Sequence, residues 1–339
     1  MLKHLKKLCE LNGASGNEQT VREYILDVIK DKCYFDVDNL GNIIAFKKGS
    51  NATEKKLMIA AHMDEVGLIV TSIKSDGALT ISAVGGINPN VLIGRQVNVG
   101  KNNINGVIGA KAVHNLTSDE KEKAISIDKL YVDIGAKDKS EAEKYVSLGD
   151  YVHFCPNYEE FGNDKIVSKA LDDRIGCAIM LDLINKDFEY DLYFAFTVQE
   201  EIGLRGAKTA TFLIEPDFAI VLEATTAADI PDVINEKRVC ELGKGAVVSF
   251  MDRSTIYDKE LYRIAFEVAK ENDIPCQTKM MIAGGNDSGA IHVSGKGVRN
   301  LAISAPCRYL HSPSCVVKRS DLEACELLTE KLITRIFNI

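Results

Sequence analysis

The run Lys56-Leu57-Met58-Ile59-Ala60-Ala61 constrains this chain more than any other feature. After its first residue it is continuously apolar, it has the length of a strand, and it stops abruptly at His62-Met63-Asp64-Glu65. A strand without apolar–polar alternation is buried on both faces, which requires an α/β sheet covered by helices. In such sheets ligands collect beyond the carboxyl ends of the strands, so titratable residues at that end point to a site.

The same texture recurs along much of the chain. Residues 42–46, 191–198, 217–222, 277–282 and 299–304 read as further strands. Leu2, Leu5 and Leu8 share one helical face. Ser15-Gly16-Asn17-Glu18 reads as a capping box ahead of a helix carrying Val21, Tyr24, Ile25, Val28 and Ile29. Asp172 is expected to cap a helix carrying Ile175, Ile179, Leu183 and Ile184, and further helices are expected over 258–271 and 321–337. The stretch from about 67 to 162 differs. Short alternating segments at 67–73, 79–83, 96–99, 106–110, 130–134 and 151–154 are divided by Gly, Asn, Asp and Pro, with one helix near 140–146. That is the texture of a small barrel or sandwich. The 339 residues therefore read as one discontinuous α/β domain, 1–66 and 163–339, interrupted by a β-rich insertion at 67–162.

Several function classes are excluded early. Asp and Glu number 49 against 41 Lys and Arg, and no basic block stands out, which argues against nucleic acid as a partner. No apolar stretch reaches the ~20 residues that span a bilayer, and the N-terminus lacks a secretory apolar region. The 9 Cys are dispersed without a C-x-x-C pair and read as buried thiols in a reducing compartment, so a cytoplasmic location is expected.

Five segments place acids or His at the ends of buried runs: Ala61–Glu65, Ala170–Arg174, Val198–Gly203, Val221–Ala224 and Tyr309–Pro313. Taken singly, each has a plain reading as a cap, a loop or a helix start that favours acids. Taken together, they supply two His and several carboxylates, a donor set suited to a pair of divalent ions, zinc, cobalt or manganese. Clustered buried carboxylates repel one another unless protonated or neutralised by cations. A dinuclear centre also needs a carboxylate free of metal to carry the proton, and the adjacent pair Glu200-Glu201 offers both kinds. Asp64, two residues after His62, is spaced to orient its imidazole. His4, His114, His153 and His292 lack acidic companions and read as structural or surface residues. Gly284-Gly285-Asn286-Asp287-Ser288-Gly289 lacks the Lys of a phosphate loop and reads as a tight turn feeding a helix.

In this order the segments, joined by Gly13–Glu18, Gly284–Ser288 and Arg308–Pro313, resemble the dinuclear-metal aminopeptidases. That family includes glutamyl aminopeptidase, deblocking aminopeptidase and the tetrahedral TET peptidases, and some members carry the label endoglucanase or cellulase M. The resemblance implies an α/β/α zinc-peptidase-like catalytic domain interrupted by a barrel-like dimerisation domain. It implies two divalent ions per subunit, zinc or cobalt before manganese. His62 would bind one ion and Asp64 would orient it, Asp172 would bridge both, and Glu201 and His311 would bind the second. Glu223 stands where the family more often has Asp and is retained as a ligand on the His62 side. The implied reaction is hydrolysis of the N-terminal peptide bond of short peptides by a metal-bridging hydroxide, with Glu200 as general base. A homo-oligomer, up to a tetrahedral dodecamer, is implied as well. The competing readings are a glycoside hydrolase, since paired carboxylates also cleave glycosides, and a non-catalytic metal-binding scaffold of the same fold. Against the first stands the absence of Trp and an aromatic content of 7%.

Overall fold

The alternation of strands and helices sorts itself into three sheets in the computed structural model, which describes residues 1–119 and 121–339. In chain order the strands are β1 (Tyr34–Val37), β2 (Ile43–Lys47), β3 (Leu57–His62), β4 (Gly67–Ile73), β5 (Leu79–Val84), β6 (Gln96–Val99), β7 (Ile104–Gly109), β8 (Tyr131–Asp133), β9 (Tyr151–Phe154), β10 (Glu159–Phe161), β11 (Lys165–Ser168), β12 (Leu192–Thr197), β13 (Phe218–Thr226), β14 (Ala246–Val248), β15 (Cys276–Thr278), β16 (Arg299–Cys307) and β17 (Cys315–Lys318). The large sheet has the order β1-β2-β12-β3-β13-β16-β14-β15. Its centre, β12, β3, β13 and β16, is parallel, and every residue of β3 is buried, as its unbroken apolar run requires.

Residue parity along these strands decides which face each side chain serves. Ile59, Ala61, Phe194, Phe196, Ile220 and Leu222 pack into a large core with the helices Leu171–Ile184, Lys259–Glu271 and Arg319–Phe337. Met58, Ala60, Ala195, Ala219 and Val221 form a second, smaller core with the helices Arg205–Ile214 and Ser288–Ile291. The small residues on that side let the helices approach closely. Burial of a side chain such as Phe194 or Phe196, both at 0% exposure, stabilises the fold by roughly 1.5–3 kcal/mol. By the same parity His62, Thr197 and Glu223 leave the carboxyl ends of three neighbouring strands on the second face, Thr197 directly abreast of His62.

The six short segments expected in the middle of the chain close into a barrel, β4-β5-β8-β7-β6-β9, with its own core of Leu68, Val70, Leu79, Val97, Val132 and Val152 among others. Its helix is shorter than the expected 140–146, spanning Lys139–Ala142, and is capped by Asp138, which accepts from the Glu141 amide.

Other expectations are corrected. Ser15 and Glu18 form no capping box: the helix Gln19–Ile29 begins without a side-chain cap, because both side chains are engaged elsewhere. Asp172 does not cap its helix. The backbone at Asp172 and Asp173 is non-helical, their peptide bond is cis, and Asp173 is the residue that accepts the Gly176 amide. β15 stops at Thr278, well short of 282, whereas β13 and β16 run on to Thr226 and Cys307. Several elements were not expected from the sequence: the exposed edge strand β1, the short strand β14, the three-stranded sheet β10-β11-β17, and the helices Ser118–Glu122 and Arg205–Ile214.

A buried ionic cluster fastens the N-terminal helix Leu2–Glu10 to this frame. Lys169 Nζ donates to both oxygens of Glu65 at 2.7 and 2.9 Å, and Arg174 Nη2 donates to Oε1 at 3.2 Å. The two cations also reach the carbonyls of Leu11 and Leu8, and the Gly13 amide donates to Glu65. All three charged side chains are almost wholly buried, and the paired hydrogen bonds compensate for their lost hydration.

Candidate metal centre

Five chain segments converge beyond the carboxyl ends of β3, β12 and β13. The backbone there is unusual. Ala170, Gln199, Leu204, Tyr309 and His311 all have φ between +55° and +59°, in the left-handed region. For residues with a Cβ that region costs of order 1 kcal/mol or more, and it persists only where surrounding contacts fix it. Here it turns the segments that carry the acids and His311 inward.

All seven side chains singled out in the sequence meet at this place. The Asp172 carboxylate stands between the two imidazoles, with Oδ1 3.5 Å from His62 Nε2 and Oδ2 3.3 Å from His311 Nε2. Glu223 Oε2 lies 3.9 Å from His62 Nε2, and Glu201 Oε1 lies 3.4 Å from His311 Nε2. Donor atoms of His62, Asp172 and Glu201 fall within one ion-sized group, and those of His62, Asp173 and Glu223 within another. Buried oxygens of Asp172, Glu201 and Glu223 have no hydrogen-bond partner. Three such orphaned oxygens in one place are costly unless a cation takes them, and a set of carboxylate oxygens and imidazoles suits zinc-like ions. The residues present therefore fit a metal group.

Electrostatics agrees. Burial raises the proton affinity of Glu200, Glu201 and Glu223, Glu201 to about 7, and the neighbouring carboxylates add to it. Burial would lower His62, but Asp172 and Asp64 more than reverse this, and the same contest takes His311 to about 10. Burial would raise Asp172, yet the facing imidazoles of His311 and His62 hold it well below the usual carboxylate range. The cluster is thus short of positive charge and gathers protons onto its histidines.

Behind these groups stands a layer that sequence reasoning mostly missed. His62 Nδ1 faces Asp64 from both its carbonyl oxygen, at 3.1 Å, and its carboxylate, at 3.4 Å, as the two-residue spacing suggested. The Asp64 carboxylate does more: it accepts the amides of Glu200 at 3.0 Å and Glu201 at 3.2 Å. Asp173 holds the amides of His62 and Gly176, so its oxygens are already engaged. Asp287, from the Gly-rich turn, accepts from Thr197 Oγ1 at 2.5 Å beside His62. Its position directly before a short helix was visible in the sequence; its partner was not.

The chain matches the model of the M42 glutamyl aminopeptidase family over residues 41–328. It is 43% identical over 333 residues to a putative aminopeptidase of Acetivibrio thermocellus, covering 97% of each chain. Among solved structures it superposes on the TET aminopeptidase of the marine sediment archaeon Thaumarchaeota archaeon SCGC AB-539-E09 with a TM-score of 0.94 at 33% identity, covering 99% of this chain and 96% of that one. It superposes on the Pyrococcus horikoshii TET1 peptidase, described as assembling into a tetrahedron or a large octahedral shell, with a TM-score of 0.86 at 35% identity and 98% coverage of both chains.

Proposed function

The chain belongs to the M42 glutamyl aminopeptidase family and is an aminopeptidase, and on that premise we propose that it removes N-terminal residues from short peptides with two divalent ions held by His62, Asp172, Glu201, Glu223 and His311. The observation that carries this reading is the Asp172 carboxylate, which offers one oxygen to each imidazole while buried oxygens of its neighbours stay unpartnered. When bound, the ions would polarise the scissile carbonyl and acidify a water.

The chain's own residues do the rest. Glu200 sits among these groups but is left free of metal in this reading. Its carboxylate receives a proton and delivers it to the departing amine. Burial raises its proton affinity, which favours its taking up that proton. Asp64 fixes the His62 ring, and Asp173 fixes the backbone beneath it. Glu223 is one methylene longer than Asp and spans the distance from the sheet to the His62 side. We take the barrel, within the expected insertion 67–162, as the surface through which copies of the chain meet, in line with the shells described for the Pyrococcus horikoshii relative. A cytoplasmic location fits nine cysteines that are all free thiols.

The test is direct. A peptide with a free N-terminus should be shortened from that end by metal-loaded protein. Chelation should abolish the reaction and zinc or cobalt restore it, and the N-acetylated peptide should resist. Equal cleavage of the acetylated peptide, or activity that survives complete metal removal, would overturn the reading.

A further inference from the structure

The Ser15-x-x-Glu18 pattern has the signature of a helix start, yet neither side chain caps the helix that follows. Ser15 Oγ donates to Asp64 Oδ2 at 2.6 Å in a buried setting. Glu18, 3% exposed, accepts the Gly16 amide at 2.7 Å and the Gln199 amide at 3.2 Å on the same oxygen. Asp64 in turn accepts the amides of Glu200 and Glu201. Three consecutive amides of the turn after β12, those of Gln199, Glu200 and Glu201, are therefore held by two carboxylates that come from other parts of the chain. Gln199 is left-handed at φ 55°, a conformation that must be imposed from outside.

The barrel braces this loop from the other side. Tyr151 OH donates to the Ser15 carbonyl at 3.1 Å, and Asn17 Nδ2 lies 3.0 Å from His153 Nε2. Gly16 has φ 87° and its missing Cβ faces the Tyr151 hydroxyl, so the loop is packed too closely to admit a side chain there.

From this arrangement we infer that Ser15 and Glu18 are positioning residues of the hydrolytic site, holding the 199–201 turn so that Glu200 and Glu201 diverge, one toward the reacting groups and one toward His311. The inference rests on the proposed function for the meaning of that divergence. It places two site residues upstream of residue 41, where the family match begins. The geometric logic is that adjacent side chains point apart only on an irregular backbone, and an irregular backbone needs outside partners for its amides.

The experiment compares metal-loaded wild type with Glu18→Ala, Glu18→Gln and Ser15→Ala. Steady-state hydrolysis of a free dipeptide and metal release to a chromogenic chelator are measured on each. Glu18→Ala should lower kcat by about 10–100-fold with KM nearly unchanged, and should release metal about tenfold more readily, the range seen when a group behind a metal ligand is lost. Glu18→Gln keeps the accepting oxygen and should stay within about threefold of wild type on both measures. Ser15→Ala should shift both in the same direction as Glu18→Ala. Wild-type kcat and metal retention in Glu18→Ala, or equal damage in Glu18→Ala and Glu18→Gln, would overturn the inference. If Glu18→Ala does not fold, Ser15→Ala decides by the same two measures. If the wild type hydrolyses no peptide, the proposed function fails, and the chelator competition still decides the inference.

Discussion

The Nδ1 atom of His311 lies 2.9 Å from the carbonyl oxygen of Gly86. One imidazole of the site is thus oriented by the segment that leaves barrel strand β5. With Nδ1–H donating to that carbonyl, Nε2 is the ring atom that faces Asp172 and Glu201 and would bind an ion in exchange for its proton. Replacing His311 with Ala should reduce bound metal from two ions per chain to one. Hydrolysis should fall by more than the ~10–100-fold typical of losing a partner behind a ligand. Metal analysis after gel filtration, beside kcat, checks both; two ions retained would remove His311 from the ligand set.

Glu200→Gln keeps the size of the side chain and removes its capacity to carry a proton. Its kcat should drop by about 10²–10⁴-fold while metal content and KM stay near wild type. Loss of metal in this variant would instead make Glu200 a ligand.

Glu65 neutralises Lys169 and Arg174 where all three are buried. Glu65→Gln leaves two cations without a counter-charge and should destabilise the fold by about 3–5 kcal/mol. A denaturant titration reads this as a lower midpoint. A shift below ~1 kcal/mol would show that water or a neighbouring group takes over the compensation.

His153 gives a pH dependence of known sign. Burial lowers its proton affinity from the ordinary 6.5 to about 4, with Glu65 opposing and Lys169 and Arg174 reinforcing. Nε2 faces the Asn17 amide, and Nδ1 is buried without a partner. The folded state therefore binds this proton less readily than the unfolded chain. Its contribution is complete above about 6.5 and is lost as pH falls toward about 4, a loss of roughly 3 kcal/mol. His153→Gln should flatten the fall of unfolding free energy across that window. An unchanged slope would assign the acid sensitivity to other groups.

How much of this was legible in the sequence depends on whether a partner is near or far along the chain. The barrel strands could be read because Gly, Asn and Pro cut the stretch into alternating segments of the right length. β3 could be read because its burial on both faces is written in consecutive apolar residues. β1 could not: all four of its residues are exposed, so no face leaves a pattern. β17 was missed because its pairing partner, β11, lies far upstream. In the site, acids and His at strand ends were visible because a buried run stops at each of them. Ser15 and Glu18 were visible too, but as the wrong thing. Their spacing satisfies a local rule, whereas their partners Asp64 and Gln199 lie far along the chain. Asp172 was misread as a cap for the same reason, the capping role falling to its neighbour Asp173.

The turn after β12 has a consequence for how the protein opens in solution. Loop amides ordinarily trade their hydrogens with water quickly, since they have no ladder to protect them. Those of Gln199, Glu200 and Glu201 each donate to a carboxylate that is itself buried or held on several sides. Their exchange in deuterated water should be as slow as that of the adjoining sheet, and they should be released only when the N-terminal loop and the sheet part company. Glu200, which would handle the proton in hydrolysis, would then sit on irregular backbone that opens no more readily than the sheet beside it.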